Sequence, residues 1–129
     1  MRVTPNYITE LKKNEIFVFG SNELGVHGKG AAKTALIWGA RYWKAEGLQG
    51  KTYAIPSKDK SIKTLPISKI KFYVDRFIKF AKDHPELTFL VTEIGCGLAG
   101  LKPHQVAPLF ENCKELENVF LPKRFWENY

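Results

Sequence analysis

The sequence predicts one α/β domain built on a largely parallel sheet with helices on both faces. Three observations carry that prediction. Short, nearly continuous apolar runs recur along the chain, as expected of strands covered on both sides. Segments with apolar residues at helical spacing alternate with those runs, the pattern that builds parallel sheets. Finally, the 129 residues contain no repeat, low-complexity stretch or linker, so one domain is expected over 1–129. A chain of this length buries roughly two-thirds of the surface it exposes when unfolded and needs no staple to fold.

The first strand is Glu15-Ile16-Phe17-Val18-Phe19, ending at Gly20. Residues 20–30 are too rich in glycine for regular structure. From Ala31 to Trp43 the pattern turns helical, with Ala32, Ala35, Leu36, Gly39 and Trp43 able to share a face. A second strand fits Thr52-Tyr53-Ala54-Ile55 and stops at Pro56, and the polar residues 57–64 read as a loop. Pro66 opens the next helix, where its missing N–H costs nothing. In that helix Ile67, Ile70, Val74, Phe77 and Ala81 form a stripe at spacings of three and four, and Pro85 ends it. Residues 87–92 are the third strand, followed by a second glycine loop at 95–100. Pro103 opens a last helix with Val106, Phe110 and Cys113 on one side, and a short strand at 118–121 is halted by Pro122. The core is therefore expected over about 15–122, with an aromatic C-terminal tail at 123–129.

Composition narrows the function classes. With 44% hydrophobic and 26% charged residues, the chain reads as an ordinary globular protein. No apolar run reaches about 18 residues, so no membrane partner is expected. The start Met1-Arg2-Val3-Thr4-Pro5-Asn6 leads into no signal-peptide core. Cys96 and Cys113 are too few for a disulfide framework, which points to a reducing, cytoplasmic setting. Cysteines and histidines show no metal-ligand spacing, and neither a metal nor a cofactor is expected. The formal charge of +7 implies an anionic partner or a solvated basic surface. Isolated lysines such as Lys69, Lys71, Lys79 and Lys82 fit the solvated face of a helix.

Both glycine loops follow strands, and sheets of this kind bind ligands beyond the carboxyl ends of their strands. Glycines at 25, 28 and 30 let a ligand approach the main chain closely. The helix that starts there presents free N–H groups to an anion. Glycines at 95, 97 and 100 repeat the arrangement, and two cradles on one sheet edge suit a diphosphate. Segment 28–34 is not a P-loop, because His27 and Ala32 stand where that motif needs other residues. The spacing of Gly25, Gly28 and Gly30 gives no dinucleotide fingerprint either. A kinase or a Rossmann dehydrogenase is therefore disfavoured.

Ile94-Gly95-Cys96-Gly97-Leu98, then Leu101 and Val106, then Asn118-Val119, resemble the second phosphate loop and final helix of the macro domains. That family binds ADP-ribose, and the likeness is to its small branch that includes the terminal ADP-ribose protein glycohydrolase. Ser21-Asn22 with Gly28-Lys29-Gly30-Ala31-Ala32 is similar to the family's first loop and following helix. Tyr53-Ala54-Ile55-Pro56-Ser57-Lys58 resembles the strand and lysine-bearing loop between them. The resemblance covers most of residues 15–122 in order, and the second loop is its specific part.

The resemblance implies a single three-layer macro-like domain with a mixed, largely parallel central sheet. It implies ADP-ribose, or a related cyclic or linked nucleotide, as the ligand. Gly28, Gly30 and Ala31, with Lys29 beside them, would line the first cradle. Gly95, Cys96, Gly97, Leu98, Ala99 and Gly100 would form the second, mostly through backbone N–H groups. Ser21 and Asn22 would lie toward the distal ribose, where the Asn22 amide can donate to and accept from hydroxyls. Compact proteins of this kind also occur in phage genomes, so the resemblance admits a phage protein that sequesters a nucleotide signal of its host.

By the same resemblance, Lys58 matches the lysine taken to attack the anomeric carbon of ribose in the glycohydrolase. That role needs a neutral amine, favoured by burial or by a neighbouring cation such as Lys60; an ordinary surface lysine is the alternative. The glycohydrolase's aspartate after Gly-Cys-Gly-Leu is replaced by Ala99, leaving Asp59 or Glu93 as stand-ins. The family's acidic residue for the adenine amino group has no counterpart beyond Glu15 or Glu23. A nucleophilic Cys96, activated by a helix N-terminus with His27 or His104 as base, stands against a small packing residue. Three functions stay open: a binding module, an ADP-ribosyl hydrolase acting on protein or nucleic acid, and a basic nucleic-acid binder. The last would stack bases on Phe125-Trp126-Glu127-Asn128-Tyr129 and is not favoured, since no nucleic-acid motif is present. The oligomeric state is not set by the sequence.

Overall fold

A computed structural model describes residues 1–127. β1 (Glu15–Asn22) lies at the centre of a five-stranded sheet. β3 (Thr52–Lys58) and β4 (Thr88–Val91) flank it in parallel, and β5 (Val119–Phe120) pairs in parallel beyond β4. The short β2 (Gly47–Gln49) adds an antiparallel edge to β3, giving the order β2-β3-β1-β4-β5. The mixed, largely parallel sheet matches the expectation from sequence. Beyond β5 the N-terminal segment joins through a parallel bridge between Val3 and Leu121, with Thr4 N donating to Leu121 O at 2.9 Å.

Alternation along the strands decides which layer each side chain enters. Ile16, Val18, Tyr53, Ile55, Phe89 and Val91 share one core with α2 (Ile67–Asp83). The same core includes α3 (Pro103–Val106), the 3-10 turns Ala107–Glu115 that prolong it, and α4 (Lys123–Glu127). Phe17, Phe19 and Ala54 face the other way, against α1 (Gly30–Ala35), with Ile8 and Leu11 packed beside them. The result is three layers. α2 buries Ile70, Val74, Phe77, Ile78 and Ala81, and Phe77 meets Tyr53 and Phe89 at 5.1 and 5.3 Å between ring centroids. None of the described helices is long and apolar enough to cross a membrane.

Several boundaries differ from the expectations. The helix expected over 31–43 stops at Ala35, tightens into a 3-10 turn over Leu36–Trp38 and reverses at Gly39, whose φ is 107°. A Cβ on Gly39 would lie 2.9 Å from Gly50 Cα, so only glycine allows this close crossing. β3 runs through Pro56 to Lys58 rather than stopping at the proline, because a bulge between Ser21 and Asn22 relaxes the pairing there. The helix from Pro103 is α-helical for only four residues, and β2 was not anticipated. The C-terminal stretch 123–127 is a helix whose Phe125 is 1% exposed, and Trp126 Nε1 donates to Arg2 O at 2.9 Å. Phe125 and Trp126 thus pack on the domain itself, the alternative to the base-stacking role that the sequence permits but does not favour; Asn128 and Tyr129 lie outside the described residues.

Candidate functional site

β1, β3 and β4 are parallel and end at the same edge of the sheet, where the segments that follow them enclose a cavity of about 640 Å³. Ser21, Asn22, Gly28, Lys29, Gly30 and Ala31 line it from the first loop, and Lys58 from the end of β3. Gly95, Gly97, Leu98 and Ala99 line it from the second loop. Cys96 and Gly100 fall outside its wall. The two loops face each other closely: a methyl built on Gly30 would sit 3.7 Å from Leu98 Cδ1, and Leu98 is 66% exposed.

The first loop is shaped by its own polar side chains. Asn22 Oδ1 accepts from Val26 N at 3.1 Å, while Asn22 Nδ2 donates to Val26 O at 2.8 Å. The amide expected to serve a ribose is therefore clamped at both ends to the loop. Ser21 Oγ likewise donates to Ala45 O at 2.5 Å. Gly25 has φ 82°, and a Cβ there would lie 2.6 Å from the main chain of Trp43. Beneath the loop His27 is buried between the rings of Phe19 and Tyr42, and neither ring nitrogen has a hydrogen-bond partner among the described residues.

The second loop turns at Gly95 and Gly100, with φ 78° and 79°. Leu101 N returns to Gly95 O at 2.8 Å, closing the loop. Gly97 has ordinary φ and open space around its Cβ position. Thr64 Oγ1 donates to Ala99 O at 2.6 Å, tying the segment after β3 to this loop.

Lys58 stands opposite Asn22 in the β1–β3 register, half-buried, with no carboxylate in ion-pair reach of its amine among the described residues. The two suggested stand-in carboxylates are engaged elsewhere. Asp59 Oδ1 accepts from Ser61 N and Lys63 N at 2.8 and 3.0 Å, closing its own turn. Glu93 does line the cavity, but Arg124 grips both its oxygens at 2.6 and 2.7 Å and holds its carboxyl below the usual range against the opposing effect of burial.

Of the two readings of Cys96, its surroundings favour the small packing residue. Its thiol packs against the core and points to Ile94 O at 3.6 Å; burial, then the Glu93 charge, pushes its pKa up to about 11. At neutral pH it is a thiol. His27 is sealed beneath the other loop and His104 is exposed on α3.

Sequence reasoning missed three features of the site. Ile62 lines the cavity with a left-handed backbone, φ 62°, unusual for a β-branched residue. Thr92 lines it just after β4, beside the Glu93 that the sequence did offer as a stand-in carboxylate. A second cavity of about 710 Å³ adjoins the first, sharing Ala31, Thr92 and Glu93, and is walled by residues 4–9 and Pro122–Arg124. Its far wall includes the N-terminal segment, which Val3 joins to Leu121 in a contact no local pattern announces. Trp38 packs on Phe17 at 5.1 Å and so supports α1 rather than the cavity.

No protein-family profile matches the chain, and no similar curated protein was found. Among solved structures it is similar to a Bacteroides thetaiotaomicron protein of unknown function, with TM-score 0.63 and 16% identity over 88% of this chain and 90% of that one. It is also similar to Thermosipho africanus DarTG in complex with ADP-ribose, with TM-score 0.61 and 19% identity over 92% of this chain. The chain spans 44% of that DarTG chain. These likenesses establish the fold: a three-layer, macro-like α/β domain with a mixed, mostly parallel sheet.

Proposed function

We propose that the chain binds ADP-ribose, or a closely related nucleotide, with its diphosphate on the main-chain N–H groups of residues 28–31, 95 and 97–99. One observation carries this reading: both glycine loops line a single cavity at the carboxyl edge of the sheet. Its charged side chains fit an anion. Lys29 and Lys58 line the cavity, and its one carboxylate among the described residues, Glu93, is already neutralised by Arg124. The adjoining cavity extends the site far enough for a nucleoside, with Tyr7, 89% exposed, and Phe17 among its walls. DarTG, of the same fold, was determined in complex with ADP-ribose, which supports the ligand class.

Capture is favoured over turnover. Glycosidic cleavage ordinarily needs carboxylates free to move protons or carry charge, and Glu93 is held in a bidentate pair. A protein that sequesters a nucleotide signal requires capture alone. Calorimetric titration with ADP-ribose, AMP and ribose 5-phosphate tests the reading. Micromolar affinity for ADP-ribose, about −8 kcal/mol, with weaker binding of the two fragments, is expected. Absence of measurable affinity for any ADP-ribose-containing ligand would reject it. Release of ADP-ribose from a modified protein or oligonucleotide, lost in Lys58→Ala, would establish a hydrolase instead.

A further inference from the structure

Two non-glycine residues among those described, Trp43 and Ile62, have left-handed backbones. Ile62 lines the cavity. Trp43, with φ 70°, does not, and its strain calls for a separate account. The conformation is imposed by the first glycine loop, since Trp43 N donates to Gly25 O at 2.7 Å and the two main chains touch where Gly25 lacks a side chain. Buried Gln49 fixes the same turn from the other side, accepting from Arg41 N at 2.8 Å and donating to Lys44 O at 3.1 Å. The turn 41–44 is therefore rigid.

Of this turn's side chains only Tyr42 contributes to the fold, resting one side of its ring on buried His27 at 5.9 Å between centroids. Trp43 is 72% exposed and Tyr42 46%, with ring centroids 6.4 Å apart. Arg41 and Lys44 flank them, both exposed, and neither forms an ion pair among the described residues. Glu46, the nearest acid in sequence, is held by Arg76 at 2.7 Å. Lys29, in the loop the turn leans on, is likewise without a carboxylate partner among the described residues. The turn thus displays two aromatic rings between two uncompensated cations on a chain of formal charge +7.

We propose that the turn Arg41-Tyr42-Trp43-Lys44 is a docking surface for single-stranded nucleic acid, with Trp43 stacking on a base and Arg41 and Lys44 meeting adjacent phosphates. Every base offers a π-face to an exposed indole, and cations at either side neutralise the backbone. A rigid turn loses little freedom when it binds, which suits it to recognition. Charge complementarity selects a polyanion over an apolar protein surface. The turn lies outside the cavity, so the proposal does not depend on what the cavity holds.

Fluorescence anisotropy of a labelled oligothymidylate at low salt tests it. Trp43→Gly removes the ring and relieves the left-handed backbone, so the variant should melt no lower than the parent. Its affinity for the oligonucleotide is expected to fall about tenfold, the usual scale of one stacked base, while Trp43→Phe keeps most of it. Arg41→Ala with Lys44→Ala should make the dependence of log K on log salt shallower by about 1.4, or 0.7 per cation. ADP-ribose affinity by calorimetry should stay unchanged in all of these variants. Failure of the parent protein to bind the oligonucleotide, or equal binding by Trp43→Gly, overturns the proposal. Failure to bind ADP-ribose is read separately and bears only on the cavity.

Discussion

Gly97→Glu isolates the diphosphate reading from the fold. Gly97 has an ordinary φ, and a Cβ built there meets no atom within 4 Å, so the substitution neither strains the backbone nor displaces a neighbour. Stability should change by no more than about 0.5 kcal/mol, as for an open surface position. The new carboxylate, however, stands in the wall of the cavity between the two glycine loops. A carboxylate about 5 Å from one phosphate charge, at an effective dielectric near 20, is repelled by about 3 kcal/mol. That is about a hundredfold in Kd, and the second phosphate adds to it. Gly97→Ala separates charge from bulk: it should bind almost normally and gain about 0.4–1 kcal/mol in stability from a stiffer unfolded chain. Calorimetric titration with ADP-ribose and thermal melting of all three proteins supply the readouts. Wild-type affinity in a folded Gly97→Glu protein would refute the placement of the diphosphate. Unfolding of that variant would refute the argument that the position is open.

Two further predictions concern the scaffold. Phe77→Ala removes the ring that joins α2 to Tyr53 and Phe89, at an expected cost of about 3–5 kcal/mol; chemical denaturation measures it, and a loss under 1 kcal/mol would show that the core collapses around the gap. Glu93→Gln tests the ion pair at the wall shared by the two cavities. Because Arg124 holds the Glu93 pKa below its ordinary 4.5 in the folded protein, the pair stabilises above that pH and its contribution is lost as pH falls through the depressed value. The variant should therefore melt below the parent at neutral pH, with the gap narrowing as the pH falls below 4.5, and a gap that does not narrow at all on acidification would assign the effect to packing.

What the sequence made legible was whatever depends on burial. Ile16–Phe19 and Phe89–Val91 are apolar on both faces because the sheet is covered on both faces, and α2 buries the stripe its spacing announces. The glycine loops were legible for the same reason, since a glycine cluster directly after a buried strand has few other uses in this architecture. Where one residue type serves two purposes, the sequence fell silent. Gly39 fits a helical face as well as a helix end, and the nearby Gly50 decides in favour of the end. An asparagine after a strand can hold a ribose or its own loop, and Asn22 holds the loop with both ends of its amide. A cysteine between glycines can sit in a positive field or in the core, and the core around Cys96 raises its pKa instead of lowering it. Trp43 is the strongest case. Periodicity assigned it to a helix face, yet its position follows from Gly25 and Gln49, and that tertiary clamp turns an apparent core residue into an exposed one. A residue forced outward at a cost in backbone strain, beside a cavity that its clamp helps to shape, is where selection for something other than stability is most directly expressed.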